Sequence, residues 1–229
     1  MKKLVFLLLG AALLTSCYYE QRRQGPQVTS VRGVRPFNRI EVRGVCDVKY
    51  EQGDTFAVRV VGRRERVNSV RTTFVGQTLF VDMDNRDKLM SIGRWRHAPV
   101  VYVTSPDLLS VRLLGAGDFE APGTVDTDTL DVYLKGVGDV TFGHVVCDAF
   151  RGTVYGTGDM DIKRLTATQS DLLLQGVGDL DVNFRNCGTA RCTLRGTGDI
   201  ELSGTLRRLV KTVQGTGDID TEKLTVGRP

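Results

Sequence analysis

The tetrapeptide Gly-x-Gly-Asp begins at Gly115, Gly136, Gly156, Gly176, Gly196 and Gly215, at intervals of 21, 20, 20, 20 and 19 residues. A period held that closely restricts the fold, because each unit must meet its neighbour in the same way. Units of about 20 residues, each with a glycine turn and short alternating apolar runs, are the pattern of a β-solenoid in which one repeat makes one coil. The motif also accounts for the composition, since 26 glycines in 229 residues exceed the usual share of about 7%.

Side chains alternate around every copy. After the aspartate comes an apolar residue (Phe119, Val140, Met160, Leu180, Ile200, Ile219), then a polar one (Glu120, Thr141, Asp161, Asp181, Glu201, Asp220), then mostly an apolar one. Ahead of the motif, Leu113, Leu134, Val154, Leu174, Leu194 and Val213 read as inward, and Lys135, Tyr155, Gln175, Arg195 and Gln214 as outward. A period of two is strand. A further apolar set at Val145, Leu165 and Leu206 predicts three short strands per coil, with equivalent residues stacked about 4.8 Å apart. At the corner, glycine supplies positive φ and aspartate accepts backbone N–H groups across the turn. Gly115, Gly117, Asp118, Gly136, Gly138, Asp139, Gly156, Gly158, Asp159, Gly176, Gly178, Asp179, Gly196, Gly198, Asp199, Gly215, Gly217 and Asp218 are therefore read as a structural turn ladder.

The chemistry-bearing residues argue against catalysis. Histidine occurs only at His97 and His144, in no metal or nucleophile spacing. The carboxylate pairs recur identically in every coil, which is how architecture repeats and not how a unique active site is built. Stacked aspartates need backbone donors or cations, and hard Ca²⁺ takes oxygen ligands. The nine-residue calcium-roll repeat, however, differs in register and period, and the dinucleotide fingerprint lacks its third glycine and its helix. No metal and no cofactor are expected. Residues 18–110 carry 16 basic and 10 acidic groups, against 13 and 17 in 111–229, so the basic surplus lies upstream and nucleic acid is set aside as a partner. Cys46, Cys147, Cys187 and Cys192 are expected mostly reduced and buried, with Cys147 and Cys187 in one small-residue column two coils apart. Arg94-Trp95-Arg96 holds the only tryptophan. It reads either as a loop packed back on the domain or as an exposed aromatic contact for a carbohydrate.

Residues 1–16 form a signal peptide: Lys2 and Lys3 precede an apolar run too short to span a bilayer. Leu14-Thr15-Ser16-Cys17 matches a lipobox, so Cys17 is the expected lipidation site, and acylation at its thiol and its new amino terminus supplies two-signal anchoring. Residues 17–36 read as a lipidated tether without apolar periodicity.

With these residues in view, the chain resembles the putative auto-transporter adhesin, head GIN domain family, typical of Bacteroidetes lipoproteins. The resemblance rests on Phe37-Asn38-Arg39-Ile40-Glu41-Val42, Tyr50-Glu51-Gln52-Gly53-Asp54, Val100-Val101-Tyr102-Val103-Thr104-Ser105-Pro106 and the Gly-x-Gly-Asp series. The triplet that names the family is replaced by Val45-Cys46-Asp47. It implies a β-helix-like fold and a non-enzymatic envelope protein. The full expectation is an all-β chain: a right-handed parallel β-helix-like solenoid with coils of about 20 residues over 111–225, an N-terminal β region over 37–110 capping it, and a tail at 226–229. The expected role is a non-enzymatic binding or scaffold lipoprotein at the outer membrane, on its periplasmic face or the cell surface. It would be held to the membrane by its lipid and would take a glycan or protein ligand. Two alternatives stand beside it: a β-helix polysaccharide-active enzyme or glycan-binding protein using the acidic face, and a calcium-stabilised structural module.

Overall fold

Stacked coils dominate the computed structural model, which describes residues 26–83 and 98–227. The regular coils are built by β10 (Thr129–Leu134), β11 (Val140–Val154), β12 (Met160–Leu174), β13 (Leu180–Leu194) and β14 (Ile200–Val213). Neighbours pair in parallel, so Met160, Leu180 and Ile200 lie side by side and are fully buried, while Asp161, Asp181 and Glu201 form the adjacent outward ladder. The period-two alternation is kept because one face of each strand has only the apolar interior to fill.

The coil differs from the expected three short strands. β11, β12 and β13 each run unbroken for 15 residues. β11 and β12 pair in one register along their length, whereas β12–β13 shifts between Ile162 and Leu165 and β13–β14 between Phe184 and Cys187, where the ladder is locally interrupted and then resumes. Cys187 and Cys192 consequently share one strand.

Stacking does not start at residue 111. β2 (Arg39–Val42) pairs in parallel with β8 (Ser110–Leu113), and β3 (Asp47–Gln52) with β9 (Phe119–Asp126), so residues 39–52 form a coil of their own. Its corner is Gly44-Val45-Cys46-Asp47, and Val45 bridges Ala116 as Ala116 bridges Val137. One layer further out, β6 (Thr78–Met83) pairs with β2 and β7 (Val100–Ser105) pairs with β3. The antiparallel strands β5 (Val70–Val75), β4 (Ala57–Arg63) and β1 (Gln27–Val31) finish that end. The six-residue helix α1 (Arg64–Ser69) joins β4 to β5, a departure from the all-strand expectation for this region. β1 also shortens the expected tether: Gln27–Val31 pairs with β4, and Arg32 donates to the carbonyls of Val67 and Val70.

The opposite end closes with β15 (Ile219–Asp220) and β16 (Leu224–Val226), which cover only Ile200–Glu201 and Gly204–Leu206 of β14. The core is continuous between the ends, with Phe119 centred 6.4 Å from Tyr50 and 5.5 Å from Phe142.

Candidate functional site

The six motifs stack into one straight corner, and the seventh, at Gly44, extends it. Its two glycines have different jobs. Only the second of each motif has positive φ, between 127° and 143°. The first adopts an ordinary φ, but a Cβ there would run into the carbonyl oxygen of the first glycine one coil back, or of Gly44 in the case of Gly115. Close axial approach, not backbone conformation, therefore requires it.

The aspartates bond between coils rather than across their own turn. Each Oδ1 accepts the backbone N–H of the next aspartate in the column: Asp139 N–H to Asp118 at 3.0 Å, Asp159 to Asp139 at 3.0 Å, Asp179 to Asp159 at 2.8 Å, Asp199 to Asp179 at 2.9 Å and Asp218 to Asp199 at 2.8 Å. Asp47 starts the series by accepting from Asp118 at 3.2 Å. A parallel turn leaves that N–H without a strand partner, and the carboxylate supplies one, so these oxygens are occupied by the fold.

Outside the corner column the acidic strip is partly neutralised. Lys163 Nζ lies 2.6 Å from Asp161, Lys223 Nζ 2.6 Å from Glu201, and Lys49 Nζ 2.9 Å from Glu120. Asp181 has no such lysine; burial, then the neighbouring Glu201 and Asp161 carboxylates, raises its pKa above the ordinary 3.8. Among the described residues no group of three His, Cys, Asp or Glu side chains is placed to hold a metal ion.

Among the described residues no cysteine is activated as a nucleophile. Cys46, Cys147, Cys187 and Cys192 are buried and unpaired, and burial pushes the thiols of Cys46, Cys147 and Cys192 up to about 12. Cys147 pairs in register with Ala167, whose backbone N–H reaches Cys187 Sγ at 3.3 Å, so the expected small-residue column is present. Among the described residues His144 meets Thr124 Oγ1 alone, at 3.4 Å. Cys17, Arg94, Trp95, Arg96 and His97 lie outside the described residues.

The glycine corner also makes a surface feature that no single motif reveals. Because the column of first glycines carries no side chains, it becomes the floor of a groove of about 1030 Å³. One wall is the outward column that precedes each motif: Lys135, Tyr155, Gln175, Arg195 and Gln214. The other is the middle residue of each motif: Val137, Thr157, Val177, Thr197 and Thr216. Val137 and Val177 are each 55% exposed. The first wall was legible as an outward column in the alternation; the second wall, and the groove between them, depend on five corners standing in line. Smaller depressions lie at the cap end beside Asp47 and Arg63 (about 500 Å³), over the Cys147–Cys187 column (about 550 Å³) and on the acidic strip (about 240 Å³).

A solenoid whose chemistry is confined to a surface groove and repeating ladders is an all-β binding architecture, without an assembled catalytic constellation among the described residues. The chain belongs to the family described as putative auto-transporter adhesin, head GIN domain, which it matches over residues 36–169 and 158–228. It shares its fold with the crystal structure of a putative adhesin from Bacteroides fragilis, at 23% identity and a TM-score of 0.69, covering 85% of this chain and 96% of that one. A putative adhesin from Parabacteroides distasonis is similar at 16% identity and a TM-score of 0.59, over 86% and 98% of the two chains. A putative lipid binding protein from the same species is similar at 16% identity and a TM-score of 0.55, over 86% and 97%. No curated protein matches the chain.

Proposed function

We propose that this protein is a non-enzymatic lipoprotein of the cell envelope that binds an extended ligand along its glycine corner. The observation that carries the reading is the groove itself. It runs across successive coils, is floored by backbone and is walled by outward side chains, whereas one oxygen of each aspartate beside it is held in an inter-coil hydrogen bond. The family's description as an adhesin supports a binding role. The alternatives are weaker on the same grounds. An enzyme using the acidic strip would find Asp161 and Glu201 closed on Lys163 and Lys223 and only Asp181 between them without a lysine, and a calcium ladder would compete with backbone N–H groups for each aspartate Oδ1.

In this reading residues 1–16 are removed, Cys17 is acylated, and the few residues between Cys17 and β1 space the domain from the outer membrane, on its periplasmic face or the cell surface. Two measurements test it. Cys17→Ala is expected to shift the protein from the detergent phase to the aqueous phase on phase separation; unchanged partitioning would overturn the anchor. Incubation with a polysaccharide panel is expected to give retention without release of new reducing ends, and turnover would overturn the non-enzymatic role.

A further inference from the structure

Resting on the groove as the binding surface, we infer that its ligand is an acidic polysaccharide lying parallel to the solenoid axis. The lining carries two cations, Lys135 and Arg195, and no carboxylate. Among the described residues neither cation pairs with an acid, and Arg195 meets only Gln214, at 3.1 Å; the lysines of the acidic strip are each closed on a carboxylate. Lys135 and Arg195 stand three coils apart, about 14 Å at strand spacing, which suits separate acidic groups on one chain rather than a single small anion.

Between and beside the cations the groove has sugar-like complementarity. Tyr155 is 42% exposed and is held on one side: its ring lies 5.7 Å from that of Tyr133, the Arg112 guanidinium sits 4.9 Å from the Tyr133 ring centre, and Glu41 lies 3.6 Å from Arg112. A ring fixed in this way can stack on a sugar face with little loss of side-chain freedom. Gln175, Gln214, Thr157 and Thr197 supply amides and hydroxyls for ring hydroxyl groups. A peptide is the poorer occupant, because the floor offers it no strand edge. The amides of Gly156, Thr157, Gly176 and Val177 already donate to Leu134, Gly136, Val154 and Gly156 of the preceding coil.

The test titrates the full chain in detergent with polygalacturonate, using dextran and poly-glutamate for comparison. Polygalacturonate is expected to bind and to weaken with added salt. Lys135→Glu combined with Arg195→Glu should lower affinity about tenfold or more; Lys135→Ala with Arg195→Ala should act in the same direction, and Lys163→Gln on the other strip should change nothing. Fragments too short to span both cations should bind much more weakly. Equal binding of dextran, with both double variants silent, would overturn the acidic ligand while leaving the groove standing. Val177→Trp separates the two ideas, since filling the groove should abolish binding of any ligand there; a silent Val177→Trp overturns groove and ligand together. Equally tight poly-glutamate binding would overturn a polysaccharide, as would no binding of polygalacturonate at all.

Discussion

At the residue scale, the two glycines of each corner are held to the same residue by different constraints. Gly178 has φ 141° and Gly176 has an ordinary φ, yet an added Cβ at either would strike the carbonyl oxygen of Gly158 or Gly156 in the coil behind. Coil spacing is set by hydrogen bonds on both sides of the corner, so there is little room to relax. Gly176→Ala and Gly178→Ala should each cost about 1–3 kcal/mol in urea unfolding, whereas Gly123→Ala, where a Cβ meets nothing within 4 Å, should cost nothing measurable. Asp181 illustrates the reverse case, a residue whose charge works against the fold. Its folded pKa is raised by burial and by Glu201 and Asp161, so the folded state holds its proton more tightly than the unfolded chain does. Stability from this group therefore falls as pH rises from the ordinary value of 3.8 through the folded one, and Asp181→Asn should stabilise the protein at neutral pH. That advantage should shrink as pH is lowered and vanish below the unfolded value, which denaturant melts across the acid range would record. The outward position of Asp181 was legible in the alternation; its raised pKa was not, because it depends on which acids stack beside it.

At the scale of the element, β14 shows how the solenoid stops. The inward ladder Val132, Gly152, Leu172, Cys192 ends in Lys211, whose Nζ turns to the carbonyl of Ile219 at 3.3 Å and to Thr221 Oγ1 at 3.5 Å. β15 and β16 leave Arg208–Val213 paired only with β13, which would be an open edge for another strand if the position were apolar. A lysine on the inward column of an edge strand blocks that pairing. Lys211→Leu should therefore increase self-association with concentration in sedimentation velocity relative to the wild type. The separate mid-repeat apolar set at Val145, Leu165 and Leu206 predicts three pieces where β11 to β13 are single strands. Pairing with the neighbouring coil carries each strand through its bends, with local register shifts in β12–β13 and β13–β14, and nothing in a period-two pattern marks where a paired strand bends.

On the scale of the whole molecule, the repeat makes the fold modular. Removing residues 160–179 joins Asp159 to Leu180 and leaves each inward and outward column with a like neighbour, since Met160 and Leu180 are register partners. The shortened protein should keep its β-sheet circular dichroism and a cooperative thermal transition, as expected when stability is a sum over coils and their interfaces. The N-terminal third is where reading the sequence fell short. Gly44-Val45-Cys46-Asp47 is a corner of the same stack, but it keeps one glycine and lies 71 residues before Gly115, with the excursion through β4, α1, β5, β6 and β7 between them. Its coil sits between β6–β7 and β8–β9, an order fixed by pairings between distant segments. The sequence by itself determined the coil length, the inward and outward columns and the positive-φ glycine of each corner, because strand alternation and backbone sterics act over a few residues. Only the tertiary structure decided that Lys135 and Arg195 face one groove, that each corner aspartate bonds through Oδ1 to the next coil, and that Lys211 ends its inward ladder. Each of those facts depends on which coil lies next to which, and that is settled by burial and hydrogen bonding across residues far apart in the chain.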